Sequence, residues 1–154
     1  MLLINEKTKL NAPSEKLLLT VEKYYRIIFP KNYKLFLKNW NGAVPITNTF
    51  VFDGHEYLIE NFLSLLGDGT EKRWDDIEVI ITEIGSRLSN DENQIGKKII
   101  PIASLFAGDF VCLDFRNGLE SPSICIWYHE QSAPFQAVTK KIANSFDEFL
   151  NMLK

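Results

Sequence analysis

Two helices near the start of the chain are predicted by apolar residues that recur every three or four positions. The segment PSEKLLLTVEKYYRIIF carries such a stripe, and Asn11 or Ser14 is placed to cap its first turn. Because proline disfavours helical backbone at the residue before it, Pro30 predicts that this helix ends near Phe29.

The second helix is predicted by the segment PKNYKLFLKNWNG. Pro30 fits a first helical position, and Gly42 fits the left-handed residue that follows a last turn. The apolar face between them consists of Tyr33, Phe36, Leu37 and Trp40. We therefore expect the two helices to form a corner at Phe29 and Pro30.

After Gly42 the pattern becomes that of strands. Asp53 and Gly54 lie between the β-rich runs TFVF and HEYLIE, which predicts a hairpin with a two-residue turn. KIIPIA predicts a strand that is either at the edge of a sheet or ends at Pro101, because proline cannot donate to a central ladder. FVCLDF and SICIWYHE predict a second hairpin.

Two more helices are predicted in the second half. RWDDIEVIITEIGSRL has apolar residues at helical spacing from Trp74 to Leu88, so Trp74 is expected in the core, as are Trp40 and Trp127. In SFDEFLNMLK, Ser145 and Glu148 match a capping box. Strand runs without regular alternation with helices predict an α+β fold, a single domain over residues 1–154 with a mainly antiparallel sheet packed by helices.

Composition and charge narrow the functional classes. The 154 residues carry a net charge of −3 and no block of Lys and Arg, which argues against direct nucleic-acid binding. No apolar run approaches the length of a membrane span, and the four apolar residues at the start are too few for a signal-peptide core. Two cysteines do not form a disulfide framework, so we expect a cytoplasmic protein with reduced thiols.

The second hairpin contains Cys112, Asp114, Cys125 and His129, the residue types of a nucleophilic catalytic site. Cys125 and His129 are four strand residues apart, or about 13 Å, which is too far for a nucleophile–base pair. If Phe115 pairs with Ile124, Cys112 lies opposite Trp127 and diagonal to His129, about 7–8 Å away. We expect both cysteines to be buried packing residues, with a Cys-dependent enzyme as the less favoured alternative.

The sequence also shows neither the spacing of a metal site nor the motif of a phosphate-binding loop. His55 and His129 are far apart in the sequence, and no C-x-x-C or H-x-x-x-H spacing is present. The segment GDGT lacks the lysine of a phosphate-binding loop. We therefore predict no metal, no cofactor and no catalytic residue.

Protein binding is the favoured class, since polar residues that we expect to be exposed cluster near predicted turns and helix starts. Acidic groups of this kind suit a basic protein partner. The predicted partner-binding residues are Asp53, His55, Glu56, Asp68, Glu71, Asp75, Asp76, Asp114 and His129.

Four segments together resemble the SUKH superfamily, and they occur in the order of that family over residues 15–153. FPKNYKLFLKNWNG is similar to its Pro-x-x-Tyr-x-x-Phe-Leu…Asn-Gly signature, and IIPIASLFAGDFVCLDF to its central block. SICIWYHE resembles the next strand, which carries a Trp, and IANSFDEFLNML the closing helix.

The resemblance implies an α+β fold with a central curved antiparallel sheet, without catalysis or cofactor. Bacterial members are mostly immunity proteins that bind and neutralise polymorphic toxins, often nucleases. Fungal members are regulatory scaffolds of the cell-wall-regulator type, linked to killer-toxin resistance. A protein partner, in the first case a cognate toxin, is therefore expected, with regulation as the alternative.

Overall fold

The computed structural model describes residues 1–67, 73–94 and 98–154. Over these ranges it has α-helices and an antiparallel sheet, which confirms the predicted α+β class. The helices are α1 (Glu15–Tyr25), α2 (Lys31–Trp40), α3 (Ile77–Ile84) and α4 (Phe146–Asn151). The strands are β1 (Ile4–Asn5), β2 (Val44–Pro45), β3 (Thr49–Phe52), β4 (His55–Phe62), β5 (Ile99–Leu105), β6 (Phe110–Asp114), β7 (Ser123–Trp127) and β8 (Thr139–Ala143).

The main sheet has six strands in the order β3-β4-β5-β6-β7-β8, so each strand lies beside its neighbour in sequence. All pairs are antiparallel, and β1 and β2 form a separate small sheet. The main sheet is curved and open, and side chains from its two halves make contact at one end. Lys140 of β8 forms an ion pair with Asp53, next to β3, and the hydroxyls of Tyr57 and Tyr128 lie 3.2 Å apart.

The core on the concave face of the sheet is mainly aromatic. The Tyr33 and Phe36 rings of α2 lie 5.1 Å and 5.2 Å from that of Phe146, and Phe149 of α4 contacts Phe50 edge to face at 5.5 Å. Such pairs add to the stabilisation from buried area. These contacts hold α2 and α4 against the sheet.

Helix α1 ends at Tyr25, so the predicted end near Phe29 is wrong. Arg26 adopts a left-handed conformation with φ of 56°, and the carboxylate of Glu22 accepts the Phe29 N–H at 2.7 Å. Ile27 and Phe29 are buried, whereas Ile28 is exposed. This alternation is that of extended chain, and it seats two side chains in the core. At the other end Ser14 caps the helix, as one of the two predicted alternatives.

Helix α2 is bounded by the two predicted residues, Pro30 and Gly42. Pro30 is the N-cap, one position earlier than the first helical position expected for it. Gly42 is left-handed with φ of +68°, as predicted. A Cβ at this position would lie 3.0 Å from Leu10 Cδ1 and 3.1 Å from Ser64 Cβ. Gly42 is therefore required both by its backbone conformation and by the approach of two neighbouring segments.

The predicted helix around residues 73–88 is shorter than expected. Asp76 is the N-cap of α3, and the chain continues beyond it as a 3₁₀ turn at Gly85–Leu88. Because Trp74 precedes the cap, it is outside the helix and 67% exposed, so its predicted place in the core is wrong. Trp127 is fully buried as predicted, and Trp40 is partly buried against the core.

Strand β5 is internal, between β4 and β6, and continues past Pro101 to Leu105. Both alternatives predicted for it are therefore wrong. The pairing with β6 shifts between Pro101 and Ala103, which marks an irregularity in the ladder. A proline without an N–H is tolerated at such a bulge because one residue there is left out of the regular pairing.

Candidate partner-binding surface

The two cysteines face each other across β6 and β7. Cys112 pairs with Cys125 and Phe110 with Trp127, so the register assumed from the sequence, in which Cys112 opposes Trp127, is wrong by two residues. Both thiols are free and buried. Burial, reinforced by a hydrogen bond with Cys125, raises the pKa of the Cys112 thiol. A buried thiol held in its neutral form is a poor nucleophile, as expected for packing residues.

His129 does not approach these thiols. It follows β7 and lies against Gly108, where an added Cβ would be 3.7 Å from His129 Cγ. Its backbone N–H donates to Asp109 at 2.8 Å, and its side chain is exposed. The sheet register therefore separates His129 further from Cys112 than the diagonal position expected from the sequence.

A 3₁₀ turn covers the sheet face that carries Cys112, Cys125 and Trp127. The indole N–H of Trp127 donates to the Arg87 carbonyl at 2.8 Å, and the Arg87 guanidinium lies over the indole, 5.2 Å from its centroid. This part of the hairpin face is closed to a partner.

Asp114 is at the opposite end of the sheet from His129. Arg116 donates to both of its carboxylate oxygens, at 2.9 Å and 2.7 Å, and also to Thr139 Oγ1 at 2.8 Å. The hydrogen bond to Asp114 is the main reason why the pKa of Arg116 is raised. Asp114 thus serves the internal structure, and its predicted partner role stays a proposal.

Asp75 and Asp76 are buried, so the expectation that they are exposed is wrong. Asp75 accepts hydrogen bonds from Arg73 Nε and Asn61 Nδ2, both at 2.9 Å. Asp76 accepts from the backbone N–H groups of Leu66 at 2.9 Å and Glu78 at 3.0 Å. These carboxylates fix the start of α3 to the end of β4. The predicted residues Asp68 and Glu71 lie outside the described residues.

Asp53, His55, Glu56 and His129 are brought together at one end of the sheet. The β3–β4 turn, the β5–β6 turn at 106–109 and the β7–β8 connection at 128–138 all lie there, because neighbouring strands are antiparallel. Asp53 and Gly54 have φ of 52° and 77°, as a tight hairpin turn requires. The hydrogen bond from Lys140 lowers the pKa of Asp53, and His55 and Glu56 are exposed. We call this region the hairpin end.

Next to the hairpin end lie three exposed apolar side chains that the sequence reasoning did not single out. Val51, Leu58 and Phe106 are 47%, 41% and 70% exposed. For Val51 and Leu58 the signal was present in the runs TFVF and HEYLIE, where successive apolar residues cannot all face one side of a sheet.

Two clefts open on the surface of the described part of the chain. One cleft of about 390 Å³ is lined by residues that include Leu88, Arg116 and Leu119. Another, of about 470 Å³, is lined by residues that include Lys9, Glu60 and Trp74. Within residues 1–67, 73–94 and 98–154, no group of three or more His, Cys, Asp or Glu side chains is placed to hold a metal ion. Nor do these ranges contain a helix with the length and apolarity needed to cross a membrane.

A curved six-stranded antiparallel meander with helices on its concave face defines the class of fold. The family model SUKH_6, described as SMI1-KNR4 cell-wall, matches residues 15–150. The chain therefore belongs to the SUKH family, which confirms the resemblance seen in its sequence. The chain is also 33% identical over 132 residues to the SPbeta prophage-derived uncharacterized protein YokK of Bacillus subtilis (strain 168). That alignment covers 79% of this chain and 64% of the relative.

Proposed function

We propose that this protein is an immunity protein, which binds a toxin in the cytoplasm and neutralises it without catalysis. Family membership over residues 15–150 is the observation that carries the proposal. The similarity to a prophage-derived protein is compatible with this role.

The proposed mechanism is steric occlusion of the toxin's active site. The hairpin end supplies exposed polar groups, among them His55, Glu56 and His129. Acidic side chains there would speed association with a basic toxin such as a nuclease, since electrostatic complementarity acts mainly on the association rate. The domain itself would make no direct contact with nucleic acid.

The experiment is to search beside this gene for one that encodes a toxin-like protein and to co-express the two proteins. Protection of the host from that toxin, together with a stable complex on size-exclusion chromatography, is the expected result. A co-expressed unrelated immunity protein of similar size serves as the control. Full toxicity in the presence of this protein, with no complex formed, would overturn the proposal.

A regulatory scaffold is the second candidate, and the description of the matching family as cell-wall proteins favours it. Deletion of the gene separates the two roles. A regulatory scaffold predicts altered cell-wall growth in cells that carry no toxin, whereas an immunity protein predicts a phenotype only when the toxin is present.

A further inference from the structure

Val51, Leu58 and Phe106 form one continuous apolar surface, which we call the β3–β5 patch. Thr49 pairs with Leu58 and Val51 with Glu56, so Val51 and Leu58 are diagonal neighbours on the same face. The Phe106 N–H donates to the Leu58 carbonyl at 2.9 Å, which extends the β4–β5 pairing by one residue. Residues paired in this way point to the same face of the sheet, so Phe106 lies beside Leu58.

The patch departs from the usual pattern of an antiparallel sheet, in which the solvated face is polar. Phe50 and Ile59, the residues next to Val51 and Leu58, fill the core from the opposite face. The inner positions of β3 and β4 are therefore already occupied by large apolar residues. Val51, Leu58 and Phe106 are additional to the core, and adjacent exposed apolar side chains of this kind are typical of interaction sites.

Charged residues of both signs lie around the patch. Lys154 hydrogen-bonds through its backbone to Thr49, the cross-strand partner of Leu58, whereas the carboxylates lie towards the β3–β4 and β5–β6 turns. Glu56 lies directly opposite Val51, is exposed, and has no ion pair within the described part of the chain. Within the described residues, the Asp109 carboxylate, three residues after Phe106, accepts the backbone N–H of His129 at 2.8 Å and forms no ion pair. Asp53 is paired with Lys140, so that pair adds little net charge. At the end of the patch near the β3–β4 turn, Glu56 therefore offers an unpaired carboxylate to a cation on a partner surface.

We propose that the β3–β5 patch, with Glu56 on its rim, is the surface that binds the partner protein. The occupant is a protein surface that places an Arg or Lys against Glu56 and apolar side chains against Leu58 and Phe106. This inference rests on the proposed function, since the toxin is the partner it assigns to the patch. Phe106 is the expected anchor, because exposed aromatic side chains that become buried dominate binding energies.

The first test measures binding of the adjacent toxin-like protein by isothermal titration calorimetry. Phe106→Ser is expected to weaken affinity by about 30-fold or more, and Leu58→Thr by about 10-fold. Glu56→Gln should cost about 3- to 10-fold and reduce the salt dependence of the association rate. Leu19→Gln is the matched control, because Leu19 is 65% exposed but lies on α1, and it should bind like the parent protein.

The outcomes separate the two proposals. If the parent protein does not bind the toxin-like protein, the proposed function fails. If the parent binds and the patch variants bind equally well, the surface is wrong while the function stands. Each variant is first compared with the parent by circular dichroism and thermal unfolding, so that loss of fold is not read as loss of contact.

The second test needs no toxin. Peptides selected from a random phage-displayed library against the folded protein should combine Arg or Lys with aromatic residues. These peptides should bind the Phe106→Ser variant more weakly than the Leu19→Gln variant. Chemical shift changes in NMR spectra should centre on Val51, Leu58 and Phe106. Selected peptides that lack cations, or that map to another face, would overturn the inference.

Discussion

Replacement of Asp76 by alanine is expected to destabilise the fold more than the loss of an ordinary helix cap. One carboxylate oxygen accepts the Glu78 N–H at the start of α3, at 3.0 Å. The other accepts the Leu66 N–H at 2.9 Å, from the segment after β4. Asp76 is fully buried, so water cannot replace either bond in the folded protein without rearrangement.

The magnitude follows from these two bonds. Loss of a side-chain N-cap costs about 1 kcal/mol, and a buried N–H left without an acceptor costs about 1–3 kcal/mol. The free energy of unfolding should therefore fall by about 2–4 kcal/mol. With a urea m-value of about 2 kcal/mol/M, the unfolding midpoint moves down by about 1–2 M.

The assay is equilibrium unfolding in urea, followed by tryptophan fluorescence and far-UV circular dichroism. Ser14→Ala is the matched control, because Ser14 caps α1 through the Leu17 N–H at 3.0 Å but is exposed, so water can satisfy that N–H. It should cost about 1 kcal/mol or less. Equal losses for Asp76→Ala and Ser14→Ala would refute the argument that burial makes the Asp76 cap expensive to remove.

Four further outcomes are expected. Tyr33→Phe should raise the free energy of unfolding by about 1 kcal/mol in urea, because within the described residues the buried Tyr33 hydroxyl has no hydrogen-bond partner. A decrease would instead reveal a partner, such as a bound water. Native Cys112 and Cys125 should react slowly with Ellman's reagent and rapidly in urea, and one fast thiol in the native protein would reopen the enzyme interpretation. Burial raises the pKa values of Cys112 and Tyr33 in the folded protein, so both groups hold their protons more tightly there than in the unfolded chain. The free energy of unfolding is therefore unaffected by these groups below their unfolded pKa values and falls as the pH rises above about 8.5–10. Urea midpoints from pH 7 to 10.5 should show this decline, and a flat profile would contradict it. Gly42→Ala should lower the thermal midpoint more than Gly54→Ala, because both glycines are left-handed but only at Gly42 would a Cβ meet neighbours within 4 Å. Equal shifts would show that backbone conformation alone accounts for the cost.

Local signals in the sequence predicted much of the fold because they act within one element. Ser145 and Glu148 form the predicted capping box: the Glu148 N–H donates to the Ser145 hydroxyl, and the Glu148 carboxylate accepts the Asn144 N–H. The Asp53–Gly54 turn fixes β3 against β4 by its own geometry. Neither feature depends on a distant part of the chain.

Two of the predictions that were wrong concern contacts between segments that are distant in the sequence. Pro101 is accepted in an internal strand because of a bulge opposite β6, and a proline at that position gives no sign of one. In the sequence, Asp75 and Asp76 look like an ordinary exposed acidic pair. In the folded protein their carboxylates accept hydrogen bonds from Asn61, Arg73 and Leu66. A carboxylate can be kept in the interior only when such donors meet it there, and sequence spacing does not show that.

The exposed residues of the proposed binding surface were predicted only in part, for the same reason. Polarity correctly indicated that Asp53, His55 and Glu56 are exposed, but polarity cannot indicate which apolar residues are exposed. Whether Leu58 and Phe106 are core or surface depends on which face of the sheet the helices cover. Because α2 and α4 occupy the concave face, Leu58 is left outside beside Glu56. The helices thus enclose one side of β3 and β4, and the other side, which stays exposed, carries the surface proposed to bind a partner.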